Sequence, residues 1–122
     1  MSDEFLRMAR QEIQSELENL NKIFLSCVND EQLSNRSVEI ARHMHKIKGL
    51  APMMGQEKMG EIAKISDMVV KHISSHGILK GAQGIILDAV KRMSSLCNGQ
   101  TDIQVDDFKK HVMSTWPDIF EF

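Results

Sequence analysis

The chain has 122 residues, 42% of them apolar and 26% charged, with fifteen Lys and Arg against seventeen Asp and Glu for a net charge of −2. That is one domain able to bury a core without staples; it excludes a disordered chain, a two-domain cofactor enzyme and a basic nucleic-acid binder. Cys27 and Cys97 lack framework or metal spacing, the start is too charged for a secretory signal, and no apolar run approaches a membrane span, so a reducing, cytoplasmic setting is expected.

Apolar residues recur in steps of three and four, Tyr is absent and only two Pro occur, which predicts an all-α fold. The first helix, about 3–28, carries the stripe Leu6, Ala9, Ile13, Leu17, Leu20, Phe24 and Cys27, with Ser2 as its cap. The second, about 31–54, carries Leu33, Ile40, Met44, Ile47, Ala51 and Met54, and Gly55 ends it. Pro52 removes an amide bond there and predicts a kinked or early-fraying last turn. The third, about 56–76, buries Met59, Ile62, Ala63, Ile65, Met68, Val69 and Ile73. The fourth, about 80–97, uses Ala82, Ile86, Ala89, Val90, Met93 and Leu96. Short connections between helices of this length favour an antiparallel up-down-up-down four-helix bundle. A short additional C-terminal helix, about 104–114, is capped near Thr101 or Asp102 and docks Phe108 and Val112. The tail of Trp116, Pro117, Ile119, Phe120 and Phe122 reads as a docked end, with a contact to another chain as the alternative. Both cysteines and most of the nine methionines read as core filler, Met53 and Met54 being candidates for a docking rim.

The informative stretch is His45-Lys46-Ile47-Lys48-Gly49-Leu50-Ala51. At about 100° per residue, His45 lies roughly 140° from the centre of its helix's apolar stripe, so it faces outward. Val38, Ala41, Lys48, Gly49 and Pro52 lie near the same direction, and Arg42 stands beside them at the rim of this candidate docking face. A solvated imidazole titrates near pH 6.5 in general, so a ring nitrogen on such a face is a ready nucleophile at pH 7, with a phosphoryl group as its natural electrophile. Lys48 follows three residues later and can offset phosphoryl charge; Gly49 follows four later and clears the space above the ring. Glycine inside a helix costs about 1 kcal/mol, so it serves something other than helix stability.

The pattern His45-x-x-Lys48-Gly49-x-Ala51-x-x-x-Gly55 resembles the signature of histidine-containing phosphotransfer (HPt) domains. The run Ala51-Pro52-Met53-Met54-Gly55 is most similar to the phosphotransfer domain at the front of chemotaxis-type histidine kinases, and the likeness extends as a helix pattern over about residues 3 to 97. The resemblance implies that His45 carries the phosphoryl group, that Lys48 is its electrostatic neighbour and that Gly49 gives the partner clearance. It further implies a histidine kinase and a response-regulator receiver domain as partners, the receiver supplying the aspartate and the Mg²⁺. The chain would then be a monomeric phosphocarrier with no cofactor or ATP site of its own. Chemotaxis-type members place a histidine and a glutamate on the third helix; the matching positions here are Lys64 and Asp67. Asp67 could still accept the ring N–H, whereas Lys64 cannot copy a histidine. Pro52 is a second departure. An N-terminal Met1 and an apolar tail favour a free-standing protein or an N-terminal module.

Other readings compete. His45 could be an idle surface histidine, and the chain a docking or regulatory bundle that is never phosphorylated. A histidine-kinase dimerisation domain normally has an acidic residue after its histidine and a proline five positions on, whereas here Lys46 follows and Pro52 is seven on. His43 and His45 point apart and make a poor metal pair; His72 and His76 lie a turn apart but lack a third ligand. Gly81-Ala82-Gln83-Gly84 has neither the preceding strand nor the Lys-Ser/Thr end of a phosphate loop. No helix supplies the Glu-x-x-His pairs of a di-metal bundle.

Overall fold

The computed structural model describes residues 2–120, and every regular element among them is helical. In chain order these are α1 (Asp3–Phe24), α2 (Asp30–Asn35), α3 (Ser37–Leu50), a 3-10 turn (Pro52–Met54), α4 (Glu57–His76), α5 (Ala82–Cys97), α6 (Asp106–Thr115) and a second 3-10 turn (Pro117–Phe120).

The Ser2 hydroxyl accepts the Phe5 N–H at 3.1 Å, and Asp3 and Glu4 sit at the positive end of α1. The helix stops at Phe24, short of the expected 28, because Leu25 and Ser26 turn back onto the Lys22 and Ile23 carbonyls. Asn29 then caps a new helix, its side chain accepting the Gln32 N–H at 2.8 Å. The expected continuous helix over 31–54 is therefore two helices. Ser34, Asn35 and Ser37 are weak helix formers, and Arg36 leaves helical geometry with φ −111° and ψ 15°. Its guanidinium is held by Glu39 at 2.9 Å and reaches Ser26 at 3.4 Å.

The far end of α3 behaves as Pro52 dictates. Ala51 still donates to the Ile47 carbonyl, but Pro52 has no N–H to give, and the chain tightens into the 3-10 turn. Gly55, at φ 73°, closes it in the left-handed region. Gly60 on α4 makes the seat for the proline ring: a Cβ there would lie 2.8 Å from Pro52 Cγ. The end of α3 is thus held against the first turns of α4.

α3 packs on α4, α1 touches both α3 and α5, and α4 touches α5, enclosing a core that includes Leu20, Leu33, Ile40, Met44, Ile47, Ile62, Val69, Ile86 and Met93. Leu6, Met54 and Met68, placed on apolar stripes by the pattern, are only partly buried. α5 begins at Ala82, two residues later than expected. Asp30 of α2 caps it across the chain, accepting the Gly81 and Gln83 N–H groups at 2.9 and 2.8 Å. α6 starts at Asp106 without a side-chain cap, so Thr101 and Asp102 do not serve as one; the Thr101 carbonyl instead accepts from Lys58 at 3.1 Å. Phe108 and Val112 are buried, and Trp116 and Phe120 pack against the core; Phe122 lies outside the described residues. Cys27 is fully buried, but Cys97 is only partly so, which corrects the reading of both as core. Burial raises both thiol pKa values, offset in part by Arg36 near Cys27 and Arg10 near Cys97.

Candidate functional site

α3 sends Met44 and Ile47 into the core, and the same rotation turns His45 away from it, leaving its side chain 62% exposed. Behind the ring stands Asp67 of α4, whose side chain is only 2% exposed. Asp67 Oδ2 lies 3.9 Å from His45 Nδ1, 3.2 Å from Lys48 Nζ and 2.9 Å from Lys71 Nζ. The other oxygen, Oδ1, is buried and has no hydrogen-bond partner among the described residues. One buried carboxylate thus faces three nitrogen-bearing side chains from two helices. Nδ1 is the ring atom turned toward Asp67, so Nε2 lies on the side of the exposed ring away from that carboxylate.

Beside the ring lies a shallow hollow of about 410 Å³ lined by Val38, Ala41, Arg42, His45, Lys71 and Ser74. Val38 is 67% exposed. Arg42 is exposed too. Ala41, expected on the open face, is instead buried, though it still lines the hollow. Gly49 is exposed, and a Cβ built on it meets nothing within 4 Å. No neighbour among the described residues demands a glycine there. Pro52 is exposed over Gly60. Lys64 is exposed on α4 and makes no ion pair among the described residues, so it stands outside the cluster around Asp67.

Lys71 escaped the sequence reading, although Asp67 and Lys71 form an i,i+4 acid–base pair that the spacing displays. A second cluster was missed as well. His43, two residues before His45, points to the opposite side of α3 and hydrogen-bonds Glu16 of α1 through Nδ1. Glu16 is 3% exposed and also pairs with Lys46 at 3.2 Å. Burial pushes the Glu16 carboxyl up. Hydrogen bonds from His43, Lys46 and Glu12, with the charge of His43, outweigh that push and hold it below the ordinary value.

The remaining histidines offer little chemistry. His72 and His76 stack at 4.1 Å between ring centroids in the last turn of α4, and His76 Nδ1 lies 3.1 Å from the His72 carbonyl. No group of three metal-ligating side chains occurs among the described residues. No helix among them is long and apolar enough to cross a membrane.

The arrangement defines a class: a helical module presenting a solvent-facing imidazole with a buried acid and two ammonium groups behind it. The family model for the Hpt domain matches residues 4–85, about two-thirds of the chain, and the protein belongs to that family. The match takes in α1 to α4 and the start of α5; α6 and the final 3-10 turn lie beyond it. No individual curated protein and no solved structure matched the chain. Members of the family are histidine phosphotransfer modules of two-component signalling, working with kinases and response regulators as phosphocarriers rather than catalysts.

Proposed function

We propose that this chain accepts a phosphoryl group on Nε2 of His45 and exchanges it with the aspartate of a response-regulator receiver domain. The observation that carries this reading is the exposed imidazole with Asp67 behind Nδ1. In the accepting direction, the Nε2 lone pair forms the N–P bond while the P–O bond of the receiver's acyl phosphate breaks. The aspartate oxygen leaves with the bonding pair. Nδ1 keeps its proton, the ring becomes cationic, and the adjacent Asp67 carboxylate favours that charge. Lys48 lies within reach of the incoming phosphoryl oxygens, and Gly49 leaves the approach open. Val38, Arg42 and Pro52 form the docking surface around the ring, with Ala41 beneath it. The receiver brings the Mg²⁺ that offsets charge on the transferring group. The ring of contacts among α1, α3, α4 and α5, with its short connections, supports an antiparallel up-down-up-down core. On this reading the module acts as a monomer in the cytoplasm.

Incubation with a histidine kinase and labelled ATP, or with a phosphorylated receiver, tests the assignment. Wild type should take up acid-labile, alkali-stable phosphate and His45→Gln should take up none. Undiminished labelling of His45→Gln would refute the site.

A further inference from the structure

The charges around Asp67 do not balance. Its buried carboxylate carries one negative charge, yet two ammonium groups, Lys48 and Lys71, lie within 3.2 Å of the same oxygen. Lys71 belongs to a different helix from the His45 motif, and its side chain is 55% exposed, so its flexible stem can swing with little loss of packing. It also lines the hollow that His45 lines.

We propose that Lys71 is a second phosphoryl-holding cation, held on Asp67 in the resting protein and transferred to the phosphoryl group when His45 is modified. This rests on His45 being the phosphorylated residue. Attack through Nε2 with Nδ1 still protonated makes the ring a cation, and Asp67 is the anion beside it. The new phosphoryl group brings negative charge to the other side of the ring. Both changes act in one direction. The cationic ring N–H, whose Nδ1 lies 3.9 Å from Asp67 Oδ2, competes with the ammonium groups for that oxygen, and the released ammonium moves to the phosphoryl oxygens. Lys71 is better suited to this exchange than Lys48, being the more exposed of the two and the one on the hollow. The exchange of cations itself transfers no proton. The covalent change is the N–P bond formed at Nε2 as the donor's bond to phosphorus breaks, P–O in an acyl phosphate or P–N in phosphoramidate, whose nitrogen leaves as ammonia.

A small phosphodonor, phosphoramidate, tests this without a protein partner. Labelling of His45 should slow by about three- to tenfold in Lys71→Gln, a range set by the modest strength of exposed charge pairs. Lys71→Arg should restore most of the rate, and the residual rate of Lys71→Gln should depend less on salt than that of wild type. Lys91→Gln, an exposed lysine of α5, should label like wild type. Side-chain ammonium NMR supplies a readout that a structural role would not move: the Lys71 resonance should shift on phosphorylation of wild type. Equal labelling of Lys71→Gln and wild type, or a Lys71 resonance indifferent to phosphorylation, would overturn the inference while leaving His45 in place. Wild type that takes no label from phosphoramidate, kinase or receiver would remove the His45 assignment itself, and this inference with it.

Discussion

Gly49 separates the needs of the fold from those of a partner, and replacing it by Ala exposes the difference. It sits in the last turn of α3, is exposed, and does not have a positive φ. An added Cβ meets nothing within 4 Å. The isolated protein should therefore gain stability: Ala exceeds Gly by about 1 kcal/mol in a helix interior, and by about half that so near an end. For a domain of this size, 0.5–1 kcal/mol raises Tm by about 2–4 °C. Transfer should move the other way. Gly49 lies one turn beyond His45 on the same face, so a methyl there enters the space a receiver must occupy, and an overpacked contact costs about 1–3 kcal/mol. Gly49→Ala should slow transfer to a receiver by about fivefold or more, and Gly49→Leu further. Phosphorylation by phosphoramidate should be unchanged, since no protein has to approach. Calorimetry and rapid-quench transfer assays read the two effects. A lowered Tm for Gly49→Ala would show that the fold itself needs this glycine, and wild-type transfer by Gly49→Leu would show that clearance plays no part.

The buried Glu16 predicts a pH effect. Its folded pKa lies below the ordinary 4.5, so its stabilisation is complete above the unfolded pKa and disappears as pH falls through the folded one. Acid titration of stability should therefore be shallower in Glu16→Gln than in wild type, and the variant should lose about 2–3 kcal/mol at pH 7 by denaturant melts, since His43 and Lys46 lose their anion. Gly60→Ala should destabilise by about 1–3 kcal/mol, because its Cβ would meet Pro52 Cγ at 2.8 Å; a double variant that also carries Pro52→Ala should recover much of the loss. Truncating Phe108, buried where α6 meets the core, should cost about 3 kcal/mol in Phe108→Ala, and an unchanged melt would mean that α6 is not docked in solution.

Helices were legible where burial follows a period. Ile13, Leu17 and Leu20, or Ile86, Val90 and Met93, fall at three- and four-residue steps because each step returns to the face that must leave water. The break at Arg36 was hidden for the converse reason. Leu33 and Ile40 are seven residues apart, a spacing that an unbroken helix would satisfy equally well, so the stripe continues across a backbone that does not. The start of α5 was hidden because its cap comes from Asp30, about fifty residues earlier, and no local motif records that hydrogen bond.

The site divides along the same line. Residues on α3 were readable as a set because one helix fixes their mutual directions: His45, Lys48 and Gly49 share a surface whatever the rest of the chain does. What stands behind the imidazole depends on how α4 is seated against α3, and Pro52 on Gly60 contributes to that seating. Asp67 could be placed by counting from a family pattern; Lys71 needed the coordinates, since an i,i+4 lysine beside an acid is ordinarily an exposed pair of small consequence. Its consequence here comes from the burial of Asp67, which concentrates the field of one carboxylate on two ammonium groups and an imidazole. Glu16 makes the same point from the other face of α3. A charge on an apolar stripe between Ile13 and Leu20 had to find partners, and it found Lys46 and His43, the latter turned inward by its position two residues from His45 as surely as His45 is turned out.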